Sequence, residues 1–236
     1  MTRVAFAGDW HGNTEWAVER ISELEGITDT ILHVGDFWPA TDYDEFTEAV
    51  NNANVSNSIK KIMVTLGNHE PWDRFRNIGP EPFQVAETIF VLPRPYRFVI
   101  NNTSFLSLGG AHSVDFDRDD KNFLWFSDEA ITDKLVEETI KGGYADILIT
   151  HESPEDSPIK AVKEILRSNP RGWTDEALKY SLESRIKISE VWDSVRPKLL
   201  IHGHMHVPGQ AYALDGRKIV SLGRDGQDMN TFLLDV

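Results

Sequence analysis

Five short segments built from metal-ligand side chains lie far apart in this chain, and each ends or follows an apolar run that reads as a buried strand. They are Gly8-Asp9-Trp10-His11-Gly12-Asn13, Gly35-Asp36, Gly67-Asn68-His69-Glu70, Thr150-His151 and Gly203-His204-Met205-His206. A lone Asp-x-His or Gly-Asp occurs by chance in many proteins. Together the five segments supply seven oxygen or imidazole donors (Asp9, His11, Asp36, Asn68, His151, His204 and His206) and one spare histidine, His69. That is enough to hold two divalent ions.

The apolar runs before these segments are Val4 to Ala7, Thr30 to Val34, Lys61 to Leu66, Ile147 to Thr150 and Leu199 to Ile201. Short β-branched runs with polar ends fit strands buried on both faces. Between the first three lie amphipathic segments, Thr14 to Leu24 and Asp44 to Asn52, with Trp16, Val18, Ile21 and Leu24 near helical spacing. Strand, helix, strand, helix, strand predicts a parallel α/β core. Ligands of such sheets sit beyond the carboxyl ends of the strands, where Asp9, Asp36, Asn68 and His151 would converge.

Two hairpins are predicted as well, Tyr96 to Ile100 with Thr103 to Leu108 about Asn101-Asn102, and Ala211 to Leu214 with Arg217 to Leu222 about Asp215-Gly216. A last strand is expected at Thr231 to Leu234.

Composition narrows the chemistry. The chain has 236 residues and no cysteine, so a metal must be held by nitrogen and oxygen; that set suits Mn, Fe, Zn or Co better than Cu(I). One globular domain spanning residues 1–236 is expected. Met1 to Gly8 carry no basic leader, and no apolar run is long enough to span a membrane, which predicts a soluble, cytoplasmic protein. A net charge of -14 argues against a chain that grips long nucleic acid, but not against small anions drawn to a local metal field.

In order and wording the five segments resemble the calcineurin-like metallophosphoesterase superfamily, from Asp9 to His206. The resemblance implies a four-layer αββα sandwich of two mixed β-sheets flanked by helices. It also implies two divalent ions, manganese first with Fe, Zn or Co as substitutes. Asp9, His11 and His206 would hold one, Asn68, His151 and His204 the other, and Asp36 would bridge them. Such ions, about 3.5 to 4 Å apart, bind phosphoryl oxygens and turn a bridging water into hydroxide for attack on phosphorus. His69 resembles the catalytic histidine that protonates the departing oxygen. The implied function is hydrolysis of a phosphomonoester or phosphodiester in a small or exposed substrate.

Gly8 to Asn13 and Gly67 to Glu70 also resemble the protein serine/threonine phosphatase branch, which keeps that activity as an alternative. However, that branch carries an Asp and an Arg after the second motif, where this chain has Pro39 and Ala40, and it usually has Gly-Gly where Glu152-Ser153 follow His151. A second alternative is a metal-binding module without catalysis, which predicts broken ligand positions.

Further candidates come from the loops. The helical segment at about residues 152–193 would partly cover the site or form an outer layer. Gly109 to Asp115 follows a strand, with His112 at the expected mouth of the site, and Arg74 and Arg118 are candidates for phosphate contact. Asp115 to Asp120 fails the calcium-loop pattern and reads as a solvated loop. Glu70 is expected to orient loops, and His33 and His202 to be structural.

Overall fold

The computed structural model describes residues 2–39, 42–117 and 125–236. Its first half winds β1 (Arg3–Ala7), α1 (Thr14–Leu24), β2 (Thr30–His33), α2 (Tyr43–Ala53) and β3 (Lys61–Val64) in strict alternation. Then come α3 (Trp72–Phe75), β4 (Phe83–Gln84), β5 (Ile89–Val91), β6 (Tyr96–Ile100) and β7 (Thr103–Leu108). The second half has α4 (Asp133–Lys141), β8 (Ile147–Thr150), α5 (Lys160–Ser168), α6 (Asp175–Val195), β9 (Leu199–His202), β10 (Gly209–Tyr212), β11 (Lys218–Ser221) and β12 (Thr231–Asp235).

The strands form two six-stranded sheets, ordered β12-β1-β2-β3-β5-β4 and β10-β11-β9-β8-β7-β6. Each has a parallel centre, β1-β2-β3-β5 or β11-β9-β8-β7, with one antiparallel strand on either edge.

Alternation along the strands decides what each face meets. Val4 and Phe6 of β1 point between the sheets, where they pack with Leu32, Met63, Ile149, Ile201 and Val220. Ala5 and Ala7 point the other way, onto a cluster containing Ala17 and Ile21 of α1 and Phe46 and Val50 of α2. On the second sheet Leu148 and Leu200 face outward onto Val136 of α4, Val162 of α5 and Ile188 and Val191 of α6. Helix, sheet, sheet, helix is therefore the layer order of this α/β fold.

Helix starts are written locally. Asn13, Thr132 and Thr174 cap α1, α4 and α6 by accepting from the backbone N–H three residues on. Within α1, Ala17, Ile21 and Leu24 are buried, whereas Val18 is exposed, contrary to its expected place on the apolar stripe. The second hairpin also departs from expectation. Its connection is longer than two residues, closed by Ala213 N–H to Arg217 O at 2.8 Å and Gly216 N–H to Ala213 O at 3.0 Å. Leu214 thus lies in the turn and not in a strand, and its side chain is fully exposed, so burial does not fix its register. No helix among the described residues is long and apolar enough to cross a membrane.

Candidate metal centre

The parallel strands of both sheets end on the same side, and each donor segment begins there. Asp9 and Asp36 follow β1 and β2, Asn68 follows β3, His151 follows β8, and His204 and His206 follow β9. The backbone there bends sharply: Asp9, His11, Asp36, His204 and His206 all have left-handed φ, between 48° and 64°. Non-glycine residues enter that region at a cost of about 1–2 kcal/mol each, and such strain collects at functional sites. The motif glycines have a steric reason. A Cβ on Gly67 would stand 2.2 Å from Asp36 Oδ1, and one on Gly203 would stand 2.1 Å from Asp9 Oδ2.

Two donor groups result, Asp9-His11-Asp36-His206 and Asp36-His151-His204, with the donor atoms of each group within 4.8 Å of one another. Asp36 belongs to both. Its Oδ1 lies 3.3 Å from His151 Nε2 and its Oδ2 3.5 Å from His11 Nε2. His206 Nε2 is 3.3 Å from Asp9 Oδ1, and Asn68 Oδ1 is 3.0 Å from His151 Nε2.

The donor set fits divalent cations. Asp9 and Asp36 are 0% and 1% exposed, and among the described residues Oδ2 of each accepts no hydrogen bond of good geometry, the His11 ring standing 3.5 Å from Asp36 Oδ2. A buried charged oxygen without a partner costs several kcal/mol unless a cation meets it. His151 Nδ1 donates to Val34 O at 2.9 Å, which turns Nε2 toward the Asp36 and Asn68 oxygens. A lone pair facing oxygens repels them unless a proton or a cation lies between.

The electrostatics express the same imbalance. Burial pushes the Asp36 carboxyl up, but the imidazoles of His151, His69 and His11 outweigh it and hold the group well below the usual carboxylate range. Burial opposes charge on His11 too, yet Asp225 and Asp36 raise it to about 10; for His151, Asp36 outweighs burial and raises it to about 9. Burial keeps His204 neutral, well below its ordinary value. A divalent cation competes with the protons on these imidazoles and releases them on binding.

Four acids support the centre from outside the donor groups. Glu70 is buried and accepts from Gly67, Phe37 and Trp38 N–H at 3.1, 3.0 and 3.3 Å, tying together the loops that carry Asn68 and Asp36. This is the loop-orienting role expected of it. Asp225 Oδ1 stands 3.1 Å from His11 Nδ1, while its Oδ2 accepts from Asn13 Nδ2 at 2.8 Å. Asp115 Oδ2 lies 3.5 Å from His69 Nε2. Neither aspartate was expected here: Asp225 has no motif around it, and Asp115 sits in an acidic run that reads as solvated. Glu152 is fully buried, accepts from Ser184 Oγ at 2.6 Å and lies 3.9 Å from His204 Nε2. His33 and His202 are fully buried and burial lowers them to about 3 and about 4, so both are neutral structural groups.

The remaining substrate candidates fall elsewhere. His112 is buried beneath α6, its ring stacked on Tyr180 at 4.4 Å and its N–H donating to Ser184 Oγ, so it does not form the mouth of the site. The apolar contact with the helix won over the loop position. Arg74 is bound to Asp44 at 3.0 Å and lies over the Tyr43 ring, away from the cavity lining. Arg118 lies outside the described residues. The cavity at the centre has a volume of about 150 Å³ and is lined by Asp36, Asn68, His69, His204 and His206, with Asp115 and residues of α5, α6 and their connection. The segment after His151 thus contributes both an outer layer and a wall of the site.

Comparison with known proteins agrees with this geometry. The sequence matches the family model of the calcineurin-like phosphoesterases over residues 2–208. A comparison with curated protein sequences finds no match. Among solved structures, a dimetal phosphatase from Danio rerio is similar, with 9% identity and a TM-score of 0.58, covering 94% of this chain and 87% of that one. A phosphopantetheinyl hydrolase from Mycobacterium tuberculosis is similar at 12% identity and a TM-score of 0.58, covering 99% and 95%. At these identities the likeness speaks for the fold. Taken with the matched family, it places the chain in the calcineurin-like phosphoesterase family, and with it among the metal-dependent phosphoesterases.

Proposed function

We propose that this chain hydrolyses phosphomonoester or phosphodiester bonds of small or exposed substrates at a two-metal centre. Asp9, His11 and His206 would hold one ion, Asn68, His151 and His204 the other, and Asp36 both. The observation that carries the reading is that two independent donor groups share one buried carboxylate, Asp36. Manganese is the first choice of metal, with Fe, Zn or Co compatible with the same mixed nitrogen and oxygen set. Bound there, the ions supply Lewis-acid neutralisation of the phosphoryl charge and activation of the attacking water.

The chain's own residues do the rest. His69 lines the cavity, and its backbone N–H donates to Asp36 Oδ1 at 2.9 Å, which fixes it beside the centre. From there its imidazole gives a proton to the departing oxygen. Asp115, 3.5 Å from Nε2, orients that ring. Glu70 holds the Asn68 loop against the Asp36 loop, so the positions of donors and acid are fixed together.

The overall charge of -14 leaves binding of long nucleic acid unfavourable, which supports a compact substrate. The test is hydrolysis of p-nitrophenyl phosphate and bis-p-nitrophenyl phosphate by metal-stripped protein with added Mn, Fe, Zn or Mg. Metal-dependent turnover is expected, and the ratio of the two rates separates monoesterase from diesterase. No turnover with any metal, with two ions bound, would contradict the proposal.

A further inference from the structure

The cavity lining is chemically of two kinds. Beside the donor cluster it includes the apolar side chains of Ile165, Leu166, Trp173, Leu178 and Met205. Ile165, Leu166 and Leu178 carry no group that could hold metal or phosphate.

The connection between α5 and α6 places Trp173 there through a closed ring of hydrogen bonds. Asn169 ends α5 with φ 41°, and its side chain accepts from Trp173 N–H at 2.9 Å and donates to Trp173 O at 2.9 Å. Gly172 N–H donates to Asn169 O at 3.0 Å inside the same ring. Thr174 then caps α6 at once by accepting from Ala177 N–H at 3.1 Å. Both flanking helices are anchored, α5 through Val162 and α6 through Ile188 and Val191, in the core on the outer face of the second sheet. The indole is therefore presented by a preorganised frame, so little ordering cost falls on a ligand that meets it.

Charge in the same lining is already committed in part. Arg185 donates to Glu155 Oε2 at 2.6 Å and to Ser181 Oγ at 2.8 Å. Arg171 adds a cation to the lining, suited to the phosphoryl group.

We infer that the part of the substrate beyond the phosphoryl group is a compact apolar or aromatic moiety seated against Trp173, whose ring selects for it. The inference rests on the phosphoesterase reading above and extends it from the bond cleaved to the class of alcohol esterified.

The test measures equilibrium binding of phenylphosphonate and methylphosphonate to the Mn-loaded protein by calorimetry, for the wild type, Trp173→Ala and Trp173→Phe. The wild type is expected to prefer phenylphosphonate by about tenfold or more, the gain of one buried aromatic ring. In Trp173→Ala that preference falls to about threefold or less with methylphosphonate affinity unchanged, and in Trp173→Phe most of it returns. Equal affinity of the wild type for the two ligands, or an undiminished preference in Trp173→Ala, overturns the inference and leaves the metal centre standing. If neither phosphonate binds the wild type, or binding does not depend on metal, the phosphoesterase reading falls and the inference with it.

Discussion

Nε2 of His69 lies 3.5 Å from Oδ2 of Asp115, although His69 follows a strand of the first sheet and Asp115 belongs to a 3-10 turn after β7 of the second. In the proposed mechanism the two sheets thus each contribute one member of an acid and its orienting carboxylate. The aspartate that orients this histidine in the protein phosphatase branch is replaced by Pro39, and Asp115 reaches the same ring from another part of the chain.

Removing each member should have graded effects. His69→Ala is expected to lower kcat by about 10²–10⁴-fold, the range for loss of a positioned acid. Asp115→Asn keeps the shape but weakens the orientation, with an expected fall of about 10–100-fold. Metal content, measured by elemental analysis, should be unchanged in both. Equal turnover of Asp115→Asn and wild type would remove Asp115 from the account.

Asp225 acts on the other side of the centre. It holds His11 through Nδ1 at 3.1 Å and is itself held by Asn13 at 2.8 Å. Such a carboxylate fixes the ring so that Nε2 faces the ion and raises its basicity. Asp225→Ala is expected to weaken binding of one metal by about 10–100-fold in a competition titration with a chelator. Unaltered affinity for both ions would show that His11 needs no such support.

Glu129 predicts a pH dependence of stability. It is fully buried, Oε1 accepts from Ser113 N–H at 2.6 Å, and Oε2 has no hydrogen-bond partner among the described residues. Burial pushes its carboxyl up to about 9. The unfolded chain releases this proton near pH 4.5 and the folded chain keeps it until about pH 9, so its contribution to stability is lost as pH rises across that window. The slope is at most about 1.4 kcal/mol per pH unit. Glu129→Gln removes the titration and keeps an acceptor for Ser113. Its Tm relative to wild type should therefore climb between pH 5 and 8, and parallel Tm curves would refute the buried neutral carboxyl.

What the sequence makes legible here is whatever is local or strictly periodic. The β1-α1-β2-α2-β3 alternation follows from short apolar runs and amphipathic stretches, and the residues just past the strand ends are the donors because a parallel sheet brings those ends together. Val64, and not Leu66, ends β3 because the chain must turn toward the centre before Asn68. The hidden parts depend on tertiary approach. Asp115 and Asp225 look like surface acids until their loops fold against His69 and His11. Conversely, His112 carries a loop signal, yet packing against Tyr180 buries it. Arg74 follows a motif, but Asp44 and Tyr43 are nearer than any phosphate position.

The central claim is that two cations, sharing Asp36, are both required for phosphoester hydrolysis. The most direct test titrates metal-stripped protein with Mn while bound metal and hydrolysis of p-nitrophenyl phosphate are followed together. Two equivalents should bind, with activity rising mainly as the second site fills, and Asp36→Ala should lose both the stoichiometry and the activity. Full activity with one equivalent, or two tightly bound ions in Asp36→Ala, would contradict the account.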